Sequence, residues 1–136
     1  MKYGQIILSE KDHELLQLIL LNWNKTSELH ASNYSLLVKE LARVKILSEN
    51  MIPTDVVRFN SKVNIETPFG VLENYELVVP AKRDPSNRKM SILSPVGSAV
   101  IGYAEGDEVL WNFPIGKRKI KITKVSNADS SEVSHG

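Results

Sequence analysis

Cysteine is absent from this chain of 136 residues, which excludes disulfides and thiolate metal sites. Proline is absent from the first 50 residues and glycine occurs there once, at Gly4, so almost nothing in that stretch interrupts a helix. Long apolar runs are also missing. The longest, Leu18 to Leu21, is far too short to cross a bilayer. The N-terminus lacks a basic region followed by an uninterrupted apolar run, so no secretory signal is expected. Together with the missing cysteine, this points to the cytoplasm. Histidine occurs only as His13, His30 and His135, at no metal-ligand spacing, so no metal site is expected. No nucleophile elbow, phosphate loop or dinucleotide fingerprint occurs, so neither a catalytic centre nor a cofactor is expected. Charge of one sign is not in excess either: 17 basic and 16 acidic residues leave a net charge of +1. A protein that grips duplex nucleic acid through many phosphates carries a clear basic excess. The balance favours a protein or small-molecule partner, with any nucleic-acid contact weak or indirect.

What is present divides near residues 50–53. Residues 1–50 are rich in leucine, whereas residues 51–136 hold all six prolines and the other six glycines. In the first part Ser9 is a candidate N-cap, with Asp12 as a capping-box partner. Leu15, Leu16, Ile19 and Trp23 then recur at helical spacing, and Leu18, Leu20 and Leu21 widen the stripe. A second helix is expected from Asn33 or Ser35 to Ser48, with Tyr34, Leu37, Leu41 and Val44 on one face. Two helices of about 15 residues, each about 22 Å long, joined by a short connection, make an antiparallel hairpin. The first helix is apolar on more than one side. It therefore needs a further packing partner, either the second part of the chain or another copy.

The second part alternates with period two around Val63 and Ile65, Tyr75 and Leu77, Val109, Trp111 and Phe113, and Ile120 and Ile122. Thr67-Pro68-Phe69-Gly70 and Pro114-Ile115-Gly116 read as hairpin connections. The expected fold class is α+β, an antiparallel sheet of four or five strands carrying one short helix. That helix begins at Ser94-Pro95, where Ser94 caps and Pro95 occupies the first helical position. Gly102 ends it, and Glu105-Gly106-Asp107 is a turn. Residues 126–136 are polar and read as a flexible tail.

Two basic groups invite a functional reading. Lys82, Arg83, Arg88 and Lys89 flank the turn Asp84-Pro85-Ser86-Asn87, and Lys117, Arg118, Lys119, Lys121 and Lys124 run along the last strand. They are either solvated faces, with lysines guarding an edge strand, or an electrostatic contact with nucleic acid or an acidic partner. Glu66, Glu73, Glu76, Asp107 and Glu108 would cancel much of their field. Asp12 and Asp55 are the acids expected to have structural roles, Asp55 by binding turn N–H groups.

A helical hairpin followed by a small sheet unit, with Ser-Pro-Val-Gly-Ser-Ala-Val-Ile-Gly (94–102), Glu-Gly-Asp-Glu-Val (105–109) and Phe-Pro-Ile-Gly-Lys-Arg (113–118), resembles the GreA/GreB transcription elongation factors. Asp55-Val56-Val57, Asn60-Ser61-Lys62-Val63, Val79-Pro80-Ala81-Lys82 and Asp84-Pro85-Ser86-Asn87 look closest to the Rnk branch, the regulators of nucleoside diphosphate kinase. The resemblance covers about residues 52–125; the hairpin matches in architecture only. It implies an FKBP-like sheet domain over 51–125 without isomerase activity, and a short coiled coil over 1–50. It also implies docking at the rim of the RNA polymerase secondary channel through Leu93, Ser94, Pro95 and Val96. Gre factors often carry an acidic residue where this chain has Leu93. In Gre factors, acidic residues at the hairpin tip help hold a catalytic magnesium ion for transcript cleavage. Here the tip holds Glu28 and His30, a single carboxylate without an Asp-x-x-Glu pair. The implied protein is a bacterial regulator that occupies the channel entrance without being an enzyme. A weak cleavage factor, or a regulator of nucleoside diphosphate kinase, is the alternative.

Overall fold

The computed structural model describes residues 1–23, 31–113 and 115–127. Strand β1 (Ile7–Ser9) leads into helix α1 (Glu10–Leu21), and helix α2 (Ala31–Leu41) leads into strand β2 (Lys45–Leu47). Ser9 caps α1 as the sequence requires, its Oγ accepting the Asp12 amide at 3.0 Å. The second helix stops at Leu41, well short of Ser48. Residues 45–47 instead pair in parallel with residues 7–9. The apolar periodicity of Val44, Ile46 and Leu47 is real, but long-range pairing with β1 overrides its helical reading.

The second part forms β3 (Lys62–Thr67), β4 (Gly70–Val78), β5 (Lys89–Ser91), helix α3 (Pro95–Val100), β6 (Glu108–Phe113) and β7 (Gly116–Ser126). The sheet order is β5-β4-β3-β7-β6. The class is α+β, with one correction: β5 joins β4 in parallel, so the sheet is mixed. A second correction concerns β7. It is not an edge strand in the sheet order but lies between β3 and β6, with β6 paired along residues 116–121 and β3 along residues 121–126.

Alternation places Val63, Ile65, Val109, Trp111, Phe113, Ile120 and Ile122 inside. The spacing breaks from Ile122 to Val125, where the register with β3 shifts and β7 carries an extra residue. Leu16 and Leu20 of α1 and Leu37 of α2 join these side chains in one core cluster. The sheet is thus a packing partner for Leu16 and Leu20 of the first helix, while Leu18 and Leu21, which widen its apolar stripe, remain exposed. Just past the end of α1, Trp23 stacks on Tyr34 of α2, with ring centroids 4.3 Å apart.

Candidate docking surface

The edge Leu93–Val96 is built by hydrogen bonds that begin at the end of β5. The Ile92 amide donates to the Val78 carbonyl at 2.9 Å, the last bond of the β4–β5 ladder. The chain then folds back on Ser91. Its Oγ accepts the Leu93 amide at 2.9 Å, and its carbonyl accepts the Ser94 hydroxyl at 2.7 Å. Ser94 Oγ in turn accepts the Gly97 amide at 3.1 Å, capping α3. Pro95 supplies the first helical residue without wasting an N–H group. Leu93, Ser94, Pro95 and Val96 are all half-buried, and Leu93 and Val96 lean on the main core. The result is a rigid edge that still shows part of each side chain to solvent.

Gly97 is the residue that permits this edge. A Cβ there would lie 2.3 Å from the Ser91 carbonyl oxygen and 3.0 Å from Leu77 Cδ1. Read along the sequence, Gly97 is only part of a helix start. Ser91 carries no motif at all. Both are needed to hold the four candidate residues in place.

The basic turn stands at the other end of β5. Asp84 and Lys89 exchange backbone hydrogen bonds at 3.0 Å each, closing the loop. The Asp84 carboxylate accepts Asn87 Nδ2 at 2.7 Å and Ser86 Oγ at 2.9 Å, and these bonds hold its carboxyl below the usual range. Arg88 takes a left-handed backbone conformation at φ 57° and donates from Nη1 to the Glu73 carbonyl. Lys82, Arg83 and Arg88 are exposed and Lys89 is half-buried. This group shares β5 with the docking edge but is not part of it. Glu28 and His30 lie outside the described residues.

Asp55 and Asp12 bind side chains, where turn N–H groups are expected for Asp55 and a capping-box bond for Asp12. Asp55 receives the Lys2 ammonium and, at 2.8 Å, the Tyr3 hydroxyl. Burial alone would raise its carboxyl; the bonds from Lys2 and Tyr3 outweigh that and lower it. Asp12 Oδ2 accepts Arg58 Nε at 3.3 Å, while Arg58 also reaches Ser9 Oγ at 3.3 Å and the Glu49 carboxylate. Burial pushes Asp12 up, and Arg58 opposes that only in part. Arg58 and Asp12 line a cleft of about 670 Å³ with Lys11, Phe59, Lys62 and Glu76. Its mixed charges cancel, and it lies apart from the docking edge. Among the described residues, no group of three or more metal-ligating side chains converges. No described helix is long and apolar enough to cross a membrane.

Residues 52–127 match the family described as transcription elongation factor, GreA/GreB, C-terminal. A protein of Escherichia coli strain K12 named regulator of nucleoside diphosphate kinase is 38% identical over 78 residues, 57% of this chain and 57% of that protein. Transcription elongation factor GreA of Clostridium beijerinckii is 36% identical over 89 residues, 65% of this chain and 56% of that protein. The matches thus span little more than half the length of these curated relatives. A solved structure, prokaryotic transcription elongation factor GreA/GreB from Nitrosomonas europaea, is 32% identical with a TM-score of 0.68, covering 91% of this chain and 99% of that one. This chain belongs to the GreA/GreB family, and the Rnk-type regulators are among its relatives.

Proposed function

We propose that the protein is a regulator of transcription elongation that binds RNA polymerase at the rim of the secondary channel and does not stimulate transcript cleavage. On this reading residues 51–125 are an FKBP-like docking domain, and the helices of residues 1–50 act as a short coiled-coil rod. The single observation that carries the proposal is the edge Leu93–Val96. It lies inside the family-matched region, is locked by Ser91 and Ser94, and keeps four half-buried side chains available to a partner. The absence of cleavage rests on the tip sequence, where Glu28 stands as one carboxylate and cannot share a divalent cation with a second.

Co-purification with RNA polymerase, repeated with a Gre factor as competitor, tests the docking. Pro95→Asp should abolish retention while leaving the circular dichroism spectrum unchanged; unchanged retention sinks the assignment of this edge. Incubation with a stalled, backtracked complex should leave the transcript at full length. Shortening of the RNA at saturating protein would show that Glu28 suffices. The name of the Escherichia coli relative favours one second reading, control of nucleoside diphosphate kinase. A change in the activity of purified kinase on adding this protein, in the absence of polymerase, would support it.

A further inference from the structure

The β3–β4 and β6–β7 hairpin tips meet at one end of the sheet. The rings of Phe69 and Phe113 pack edge to face there, with centroids 5.6 Å apart. Phe113 is buried, but Phe69 is 64% exposed, and Val71, Leu110 and Ile115 nearby in these hairpins are exposed as well. Single exposed apolar side chains are ordinary; a group drawn from two adjoining hairpins is not.

The same end carries Lys117, Arg118, Lys119 and Lys121 of β7, where β6 pairs along one side and β3 reaches no further than Lys121. Lys119 Nζ lies 3.4 Å from Glu108 Oε1, and Lys121 stands in register with both Glu66 and Glu108. Those two carboxylates answer two lysines. Lys117 and Arg118 remain, with no carboxylate partner among the described residues. A groove of about 390 Å³, lined by Arg118, Lys119, Lys121, Glu66 and Glu108, crosses this surface.

We propose that this end of the sheet is a second protein-docking surface, and that its occupant is an acidic segment with an apolar anchor. The anchor packs on Phe69, Val71 and Ile115 while its carboxylates meet Arg118, which lines the groove; Lys117, one residue earlier in the strand, turns to the opposite face. Aromatic and arginine side chains beside desolvated apolar area are the usual makings of a protein contact. A nucleic-acid strand fits less well: Glu66 and Glu108 would face its phosphates, and Phe69 is a lone exposed ring in this group where a strand needs successive rings to stack on. The surface shares no residue with Leu93–Val96: Val71 lies at the start of β4, whereas the docking edge follows Ser91, which pairs with Val78 at the far end of that strand.

The test is an NMR titration of the full chain with three probes: a capped Asp-Glu-Leu-Phe-Glu-Asp peptide, its counterpart with Lys at every acid, and a dT12 oligonucleotide. The acidic peptide should shift the amides of residues 69–71, 110 and 115–119 saturably. Arg118→Glu and Phe69→Ser, each verified as folded by its spectrum, should weaken it at least about fivefold. Added salt should weaken it too. Absence of shifts, shifts confined to another surface, or equal binding of the basic peptide overturns the proposal. Tighter binding of dT12 at the same residues also overturns it and makes the surface a nucleic-acid contact.

Discussion

The amide of Ile7 donates to the carbonyl of Gly102 at 3.0 Å, tying the first strand of the chain to the turn that ends α3. Gly102 has φ +82°, and a Cβ there would lie 2.8 Å from Ile6 Cβ. Its own amide donates to Val57 at 2.9 Å. One residue therefore joins the N-terminal strand to the sheet unit, and both its conformation and its neighbour demand glycine. Gly102→Ala should lower stability by about 1–3 kcal/mol from backbone strain alone, with the Ile6 contact adding to it. Urea denaturation measures this. A loss below about 0.5 kcal/mol would mean that β1 is not seated as described.

Gly97→Ala makes a different prediction, because the backbone at 97 is ordinary helix. The obstacle is the Ser91 carbonyl at 2.3 Å, which cannot swing away like a flexible side chain. The Ser94 cap and the β5–α3 corner must therefore shift. Stability should fall by about 1–3 kcal/mol. Retention on polymerase should fall further than in Gly102→Ala at matched stability, since only residue 97 lies against the proposed docking edge. Equal losses of retention would separate the corner from docking.

Much of this was legible because it is local. Ser94-Pro95 and Ser9 announce helix starts within three residues of the bonds they make, and the alternating strands show which side chains turn inward. The failures are long-range. Nothing near Lys45 signals that its amide will donate to Ile6 at 2.9 Å, or that residues 45–47 will leave the helix to pair with residues 7–9. The last strand looks like an edge of the sheet until the order places it between β3 and β6. Arg58 carries no motif, although three side chains from the first 50 residues converge on its guanidinium.

That convergence makes Arg58 hard to replace. Its side chain is 14% exposed and Asp12 is buried, whereas Glu49 is largely in solvent. Arg58→Met leaves the Asp12 carboxylate without its counter-charge and should cost about 2–4 kcal/mol at neutral pH. Asp12→Asn in the same chain should recover part of the loss, the non-additivity that marks a direct pair. The folded carboxyl already lies above its ordinary 3.8, and removing Arg58 raises it further. A raised carboxyl contributes stability below the unfolded value and loses it as pH rises through the folded one. Arg58→Met should therefore regain stability relative to the parent as pH falls from 7 towards 4. A deficit that is constant across that range would place the cost in packing rather than charge.

Tyr103 gives the corresponding prediction on the alkaline side. Its hydroxyl donates to Glu40 Oε1 at 3.0 Å, joining the turn after α3 to α2. Burial first, and then the charge and hydrogen bond of Glu40, hold the phenol well above its ordinary value of 10.0. In the unfolded chain Tyr103 ionises near that ordinary value, while in the folded chain it keeps its proton. The unfolded state therefore binds fewer protons above pH 10, and stability falls as pH rises. The slope approaches about 1.4 kcal/mol per pH unit for this one group. Tyr103→Phe keeps the ring and removes the titration. It should cost about 1 kcal/mol at pH 7, where the hydrogen bond is lost, and show a shallower decline above pH 10. The two stability curves, measured by urea unfolding from pH 7 to 11, should therefore converge. Curves that stay parallel would mean that the Tyr103 hydroxyl is not held neutral against Glu40 in the folded protein.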